Sequence, residues 1–407
     1  MFRNVPAGPP DPVYILKTKV DADKSPEKVD LGVGVFRNEK AECHELQAVK
    51  ASKKAILEQN LGHDYEVTTG NPEFVQKAAA VLFGSSAEVI QSKRLTSVQG
   101  ISGTGAIHTA ALFLSRVDTL KDKKVYVGTP AWGNYEPLFN LVGFTVEKYR
   151  HYDAEKGVVD FQSLLSAISS APKGSIFILQ GCCHNPTGAD LTKDQWRTLA
   201  KAMQEKELFP FFDMAYQGLG GSLDDDAFSL RLFTEKGFEL VACQSFSKNF
   251  GIYGERCGVA HVVSANSDAA QNVHDQLRSL IRWEFSSSPA YGARIVTTIL
   301  RDSSLTEAWS SELSSMRERL VVARRDLYEA IVNKRKTPGD WSVLLSTTGL
   351  FCFLPLTPKQ TAILGNKYHV YMLGSGRINV SGINPSNVER IATAIDEVVR
   401  SAVSSNL

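Results

Sequence analysis

Short apolar bursts alternate with amphipathic stretches through the middle of the chain. KVYVGTP (124–130), SIFILQ (175–180), LFPFFDMAY (208–216), FELVACQSF (238–246) and GVAHVV (258–263) are brief and rich in Val, Ile and Phe. Such runs mark strands buried on both faces. Between them, LTKDQWRTLAKAMQEKE (191–207) repeats its apolar residues at helical spacing. Strands alternating with helices predict an α/β fold, with a largely parallel sheet covered on both sides. In such sheets ligands collect at the carboxyl ends of the strands. The tail has a different rhythm. Residues 303–335 predict one long helix; then come Pro338-Gly339, a strand in GLFCFLPL, short strands near 369–380 and a final helix after Pro385. That order predicts a smaller α+β domain. The first forty or so residues have no helix long enough to form a domain alone and are expected to join it.

Length and charge narrow the picture. A chain of 407 residues exceeds one core of typical size, so two domains, or one with a satellite, are expected. A formal net charge of +1 points to neither nucleic acid nor an anionic membrane as a partner. No apolar stretch is long enough to span a bilayer. The N-terminal MFRNVPAGPPDP has neither an apolar signal core nor an Arg-rich amphipathic pattern, so a cytoplasmic protein is expected. Ser405-Asn406-Leu407 resembles a peroxisomal address without its basic middle residue. The six cysteines form no CxxC pair and no metal-ligand spacing; they are read as reduced, mostly buried thiols, and no metal is expected. The vicinal Cys182-Cys183 pair is read as two small residues at a strand end.

Four features at predicted strand ends can carry chemistry. SGTG (102–105) opens an apolar helix and can present free N–H groups to a phosphate, or act as a plain cap and turn. HNPTG (184–188) follows SIFILQ, and by itself is more often a turn than a site. FFDMAYQG places Asp213 at the end of an apolar strand and Tyr216 three residues on. SFSKNFGIYGERCG sets Lys248 between Ser245 and Ser247, with Arg256 downstream. A single chemistry unites them. A lysine that forms a Schiff base needs an aldehyde cofactor beside it. A pyridine ring acts as an electron sink when a fixed carboxylate holds its nitrogen protonated. A phosphate handle needs hydroxyls, N–H groups and a cation.

The ordered set SGTG, PAWGN, HNPTG, DMAYQG, SFSKNFGIYGERCG and GRINVSG resembles the aspartate aminotransferase family of pyridoxal 5'-phosphate enzymes, nearly end to end. The resemblance implies fold type I: a large domain, residues 44–316, with a mostly parallel sheet of seven-stranded type, and a small domain from residues 1–43 and 317–407. It implies that Lys248 carries the cofactor and shuttles the substrate proton, and that Asp213 holds the ring nitrogen's proton. Asn185 and Tyr216 would bind the ring's phenolic oxygen, and Trp132 would stack on the ring. Ser102, Gly103, Thr104, Ser245, Ser247 and Arg256 would grip the phosphate. Tyr65 would reach the phosphate of a neighbouring subunit's cofactor, so a homodimer with shared sites is implied. Arg377 would fork onto the substrate α-carboxylate, Arg282 would clamp the side-chain carboxylate across the dimer, and Gly34 would allow close backbone approach to the substrate.

Departures from the family pattern are local. Tyr135 stands where a histidine is usual, and Gln180 replaces another; both belong to the shell around Asp213 and the ring. Ser287-Ser288-Pro289 replaces Asn-Pro-Pro after Arg282, EVTTG follows Tyr65 in place of an apolar-proline segment, and 43–47 lacks a Trp/Pro pattern. The expected reaction is reversible transamination between L-aspartate and 2-oxoglutarate. A broad-specificity or aromatic aminotransferase and a non-catalytic paralogue are the alternatives.

Overall fold

In a computed structural model, which describes residues 1–404, the chain forms two compact units. The larger comprises His44–Leu320 with Thr347–Gly349; the smaller comprises Met1–Cys43, Val321–Ser346 and the chain from Leu350 onward. The Ser405-Asn406-Leu407 tail lies outside the described residues.

The larger unit is built on a seven-stranded sheet. Its strands are β1 (Leu95–Ile101), β2 (Val125–Thr129), β3 (Val146–Arg150), β4 (Ile176–Gln180), β5 (Phe209–Met214), β6 (Leu240–Ser245) and β7 (Cys257–Val263). Their spatial order is β1-β7-β6-β5-β4-β2-β3. The run from β6 to β3 is parallel; β7 alone is antiparallel to both its neighbours, β1 and β6. Successive side chains point to opposite faces, and two apolar layers result. Ile176, Ile178, Phe211, Val241 and Cys243 enter one. Phe177, Leu179, Phe212, Leu240 and Ala242 enter the other, against Trp196 and Leu199 of the helix Lys193–Glu205. That helix starts on a capping box, Thr192 with Gln195.

Strand β1 carries polar residues that are nonetheless buried. Thr96 Oγ1 donates to the Ala270 carbonyl at 2.6 Å, and Gln99 Nε2 to that of Pro289 at 2.8 Å. These bonds offset the cost of burying polar groups.

In the smaller unit, Val29–Asp30 pairs in parallel with Val370–Tyr371, and Phe351–Phe353 pairs antiparallel with Arg377–Asn379. Helices Pro12–Ala22, Pro358–Tyr368 and Val388–Ser404 accompany them. The helix predicted over 303–335 is α-helical only for Ser303–Tyr328; Glu329–Lys334 is a π-helical stretch. Its end is closed by the longer-range bond from Arg335 N–H to the Ala330 carbonyl. Among the described residues no helix is long and apolar enough to cross a membrane.

Candidate active site

The motifs that line the cavity of the larger unit lie where strands of the central sheet end or begin, on one side of it. Ser102 follows β1, Trp132 follows β2, Asn185 follows β4, Tyr216 follows β5, Lys248 follows β6, and Arg256 precedes β7, which runs the other way. Asp213 lies one residue before the end of β5. Together Ser102, Gly103, Thr104, Trp132, Asn185, Asp213, Tyr216, Ser245, Ser247, Lys248 and Arg256 line one cavity of about 130 Å³. Residues as far apart as 102 and 256 thus converge because the parallel crossovers return each strand end to the same side.

One end of the cavity is a cluster of hydroxyls at the start of the helix Ser102–Leu114. Ser102, Ser245 and Ser247 are buried. Ser102 Oγ and Ser247 Oγ are 3.1 Å apart, and Ser247 N–H donates to Ser245 Oγ at 3.3 Å. Ser102 N–H donates to the Arg256 carbonyl at 2.8 Å, locking the helix start to the lysine loop. Ser102 and Arg256 both hold left-handed backbone, φ 62° and 51°. Space here is tight at Gly103 and admits only glycine at Gly258. A Cβ on Gly103 would lie 3.0 Å from Ser245 Cβ, and one on Gly258 would lie 2.5 Å from the Ser102 carbonyl carbon.

Deeper in, the Tyr135 hydroxyl donates to Asp213 Oδ2 at 2.5 Å. Burial pushes the Asp213 carboxyl up from its ordinary range, while the Tyr135 bond and the Lys248 charge pull the other way. The Lys248 amine is pushed down by burial, opposed by Asp213 and aided by Arg256. A lysine so depressed spends more of its time as the neutral nucleophile. Its Nζ stands 5.0 Å from the centre of the Tyr216 ring.

The Asn185 loop is fixed from both sides. Gln180 Oε1 accepts from Asn185 N–H at 2.8 Å, and Gln180 Nε2 donates to the Asn185 carbonyl at 3.0 Å. Asp190 accepts from the N–H groups of Cys183 and His184 and from Thr348 Oγ1. Cys182 and Cys183 are buried, their sulfurs within 4.8 Å of the Asp226 carboxylate, and Cys183 Sγ donates to the Tyr216 carbonyl at 3.9 Å. That carboxylate already accepts from Gly218, Gly220 and Gly221 N–H groups.

The remaining predicted residues lie elsewhere. Tyr65 is 89% exposed. Arg282 is exposed, and its guanidinium donates to Ser286 Oγ. Gly34 and Arg377 belong to the smaller unit. There Arg377 is buried, donates to the Gly32 carbonyl at 2.7 Å and lies 4.3 Å from the Phe351 ring centre. A Cβ on Gly34 would come within 2.9 Å of the same ring. Three cavity residues carried no assigned role in the sequence reading, Ile107, Ala215 and Tyr253. Tyr253 sits inside the lysine motif, and only its spacing from Arg256 could have signalled it.

The donor set suits pyridoxal phosphate. Three buried hydroxyls, a helix start and Arg256 suit its phosphate; an indole suits a ring face, a carboxylate a ring nitrogen, and an amine an aldehyde. A family model described as aminotransferase class I and II matches residues 26–395. The chain belongs to this family. This aminotransferase is 42% identical over 400 residues to a mitochondrial aspartate aminotransferase of Dictyostelium discoideum, covering 98% of its own chain and 93% of the relative. Its structure superposes on the cytoplasmic aspartate aminotransferase of Saccharomyces cerevisiae with a TM-score of 0.95 at 39% identity, covering 98% and 99% of the two chains. It matches equally, at 0.95 and 34% identity with the same coverage, an aromatic-amino-acid aminotransferase of Burkholderia pseudomallei covalently bound to pyridoxal phosphate. Its α/β sheet is that of the fold type I enzymes.

Proposed function

We propose that this aminotransferase is a pyridoxal-phosphate-dependent aspartate aminotransferase. It moves an amino group reversibly between L-aspartate and 2-oxoglutarate, giving oxaloacetate and L-glutamate in two half-reactions. The observation that carries this reading is the single cavity joining Lys248, Asp213, Asn185, Tyr216 and the hydroxyl cluster. It occurs in a chain about two-fifths identical to aspartate aminotransferases over nearly its whole length.

Bound there, the cofactor supplies an aldehyde to carry the amino group and a ring to take up the electrons of the broken Cα–H bond. The chain supplies the rest. Ser102, Gly103, Thr104, Ser245, Ser247 and Arg256 anchor the phosphate. Asp213 holds a proton at the ring nitrogen, and Trp132 covers a ring face. Asn185 and Tyr216 donate to the phenolic oxygen. Lys248, the only amine among the cavity-lining residues, would take the proton from the substrate Cα and hold it at its Nζ for return. Arg377 binds the α-carboxylate, with Gly34 leaving room for the substrate.

We assign Arg282 and Tyr65 to the active site of a partner subunit in a homodimer. Their exposure on the single chain supports that reading. The large unit is the cofactor-binding domain in this scheme. The cytoplasm is proposed as its place, following the yeast relative; because the Dictyostelium relative is mitochondrial, cell fractionation is the test.

A panel of amino donors with 2-oxoglutarate as acceptor tests the activity. Aspartate is expected to give a higher kcat/KM than tyrosine. The reverse order would select a broad-specificity or aromatic enzyme, the reading favoured by the Burkholderia match and by Ser287-Ser288-Pro289 beside Arg282.

A further inference from the structure

Among the described residues, Tyr135 is the only hydrogen-bond donor to the Asp213 side chain. The bond is short, 2.5 Å, and the phenol is almost wholly buried. It goes to Oδ2 alone, and Asp213 itself lines the cavity. Tyr135 is held in turn: its ring meets that of Trp132 edge-on, 5.3 Å between centres at 85°. Trp132 lines the same cavity. One side chain thus links the carboxylate to the indole, from the start of the helix Tyr135–Leu141.

We propose that Tyr135 is a positioning residue for the cofactor's ring: it saturates one oxygen of Asp213, sets the plane of the carboxylate, and leaves Oδ1 for the proton on the pyridine nitrogen. The proposal rests on the pyridoxal-phosphate reading of the cavity. Its physical content is that a phenol is a donor of fixed charge. Burial and the neighbouring Asp213 charge hold the Tyr135 hydroxyl protonated well beyond the ordinary range. Gaining no charge near neutrality, it tunes Asp213 by the same amount across the working pH range, which an imidazole would not. The other titratable groups around Asp213 are the Lys248 amine and the Cys243 thiol, with Tyr216 beside Tyr135. Cys243 is held protonated by burial and by the Asp213 charge.

Removal of the donor has a definite sign. Asp213 without Tyr135 is a stronger base, so it draws the shared proton away from the ring nitrogen. The ring loses positive charge, and the Lys248 nitrogen that carries the cofactor keeps its proton to higher pH. Tyr135→Phe is therefore expected to bind pyridoxal phosphate roughly tenfold more weakly. The pH midpoint of its visible absorption band is expected to rise. Tyr135→His, which keeps a donor, is expected to bind the cofactor within about threefold of the parent. Its band should show an added inflection as the imidazole gains charge near neutral pH.

The measurements are cofactor dissociation by absorbance and the pH titration of the band, on parent and both variants, after thermal melting shows each is folded. An unchanged midpoint and unchanged dissociation in Tyr135→Phe would overturn the proposal. Should that variant fail to fold, Tyr135→His decides: a band titrating with the parent's single inflection is equally fatal. A parent protein with no visible band at all would instead sink the cofactor reading on which the proposal stands.

Discussion

Arg282 and Arg377 make opposite demands on a substrate. Arg377 is buried in the smaller unit with its guanidinium on the Phe351 ring; Arg282 is exposed and tethered to Ser286. If one binds the α-carboxylate and the other the side-chain carboxylate, their truncations separate in kinetics. Arg282→Ala is expected to cut kcat/KM for aspartate by roughly 10²–10³-fold, the cost of leaving a desolvated carboxylate unpaired, and to change phenylalanine far less. Arg377→Ala is expected to cut both by similar factors. Equal losses on both donors in Arg282→Ala would remove it from substrate recognition. At this scale the sequence was informative where one motif holds a whole chemical function, as around Lys248. It was silent where a function spans distant positions. The resemblance put Tyr135 near Asp213, but nothing across a separation of 78 residues disclosed a donated hydrogen bond of 2.5 Å between them. Gln180 likewise grips Asn185 through backbone atoms, which side-chain identity does not reveal.

The elements divide along the same line. The apolar bursts correspond to β2, β4, β5, β6 and β7, and the 191–207 pattern to the helix Lys193–Glu205, because in each the burial is apolar and the period shows. Strand β1 did not stand out, because LTSVQGI is half polar; its Thr96 and Gln99 are buried by hydrogen bonds to the Ala270 and Pro289 carbonyls, partners far along the chain. The π-helical stretch Glu329–Lys334 was equally hidden, since EAIVNK reads as ordinary helix. Local chemistry still sets element stability. Thr192→Ala removes the hydroxyl that accepts from Gln195 N–H at 3.1 Å. It is expected to lower unfolding free energy by about 1 kcal/mol, read from urea denaturation. A shift below a few tenths would mean that tertiary packing of Trp196 and Leu199 alone fixes that end.

For the whole molecule, buried histidines contribute one definite part of the response to acid. Burial pushes His151 down to about 4 and His261 to about 3, and lowers His184 as well. His151 and His184 stack at 4.1 Å between ring centres, so a charge on either is opposed by the other. Unfolded, these rings take up protons near pH 6.5. Below that pH the unfolded chain binds protons at these rings that the folded chain cannot, so their contribution to stability is fully present above about 6.5 and falls steadily toward about 4. Each such histidine contributes up to about 1.4 kcal/mol per pH unit. His151→Phe is expected to flatten melting temperature against pH between those limits; a slope parallel to the parent's would contradict the linkage. The central claim is more directly accessible. The protein loaded with pyridoxal phosphate can be reduced with borohydride, weighed intact, digested and mapped. One pyridoxyl group per chain, on the peptide containing Lys248 and absent from Lys248→Ala, is the expected result. A tag on any other lysine, or no tag, would contradict it.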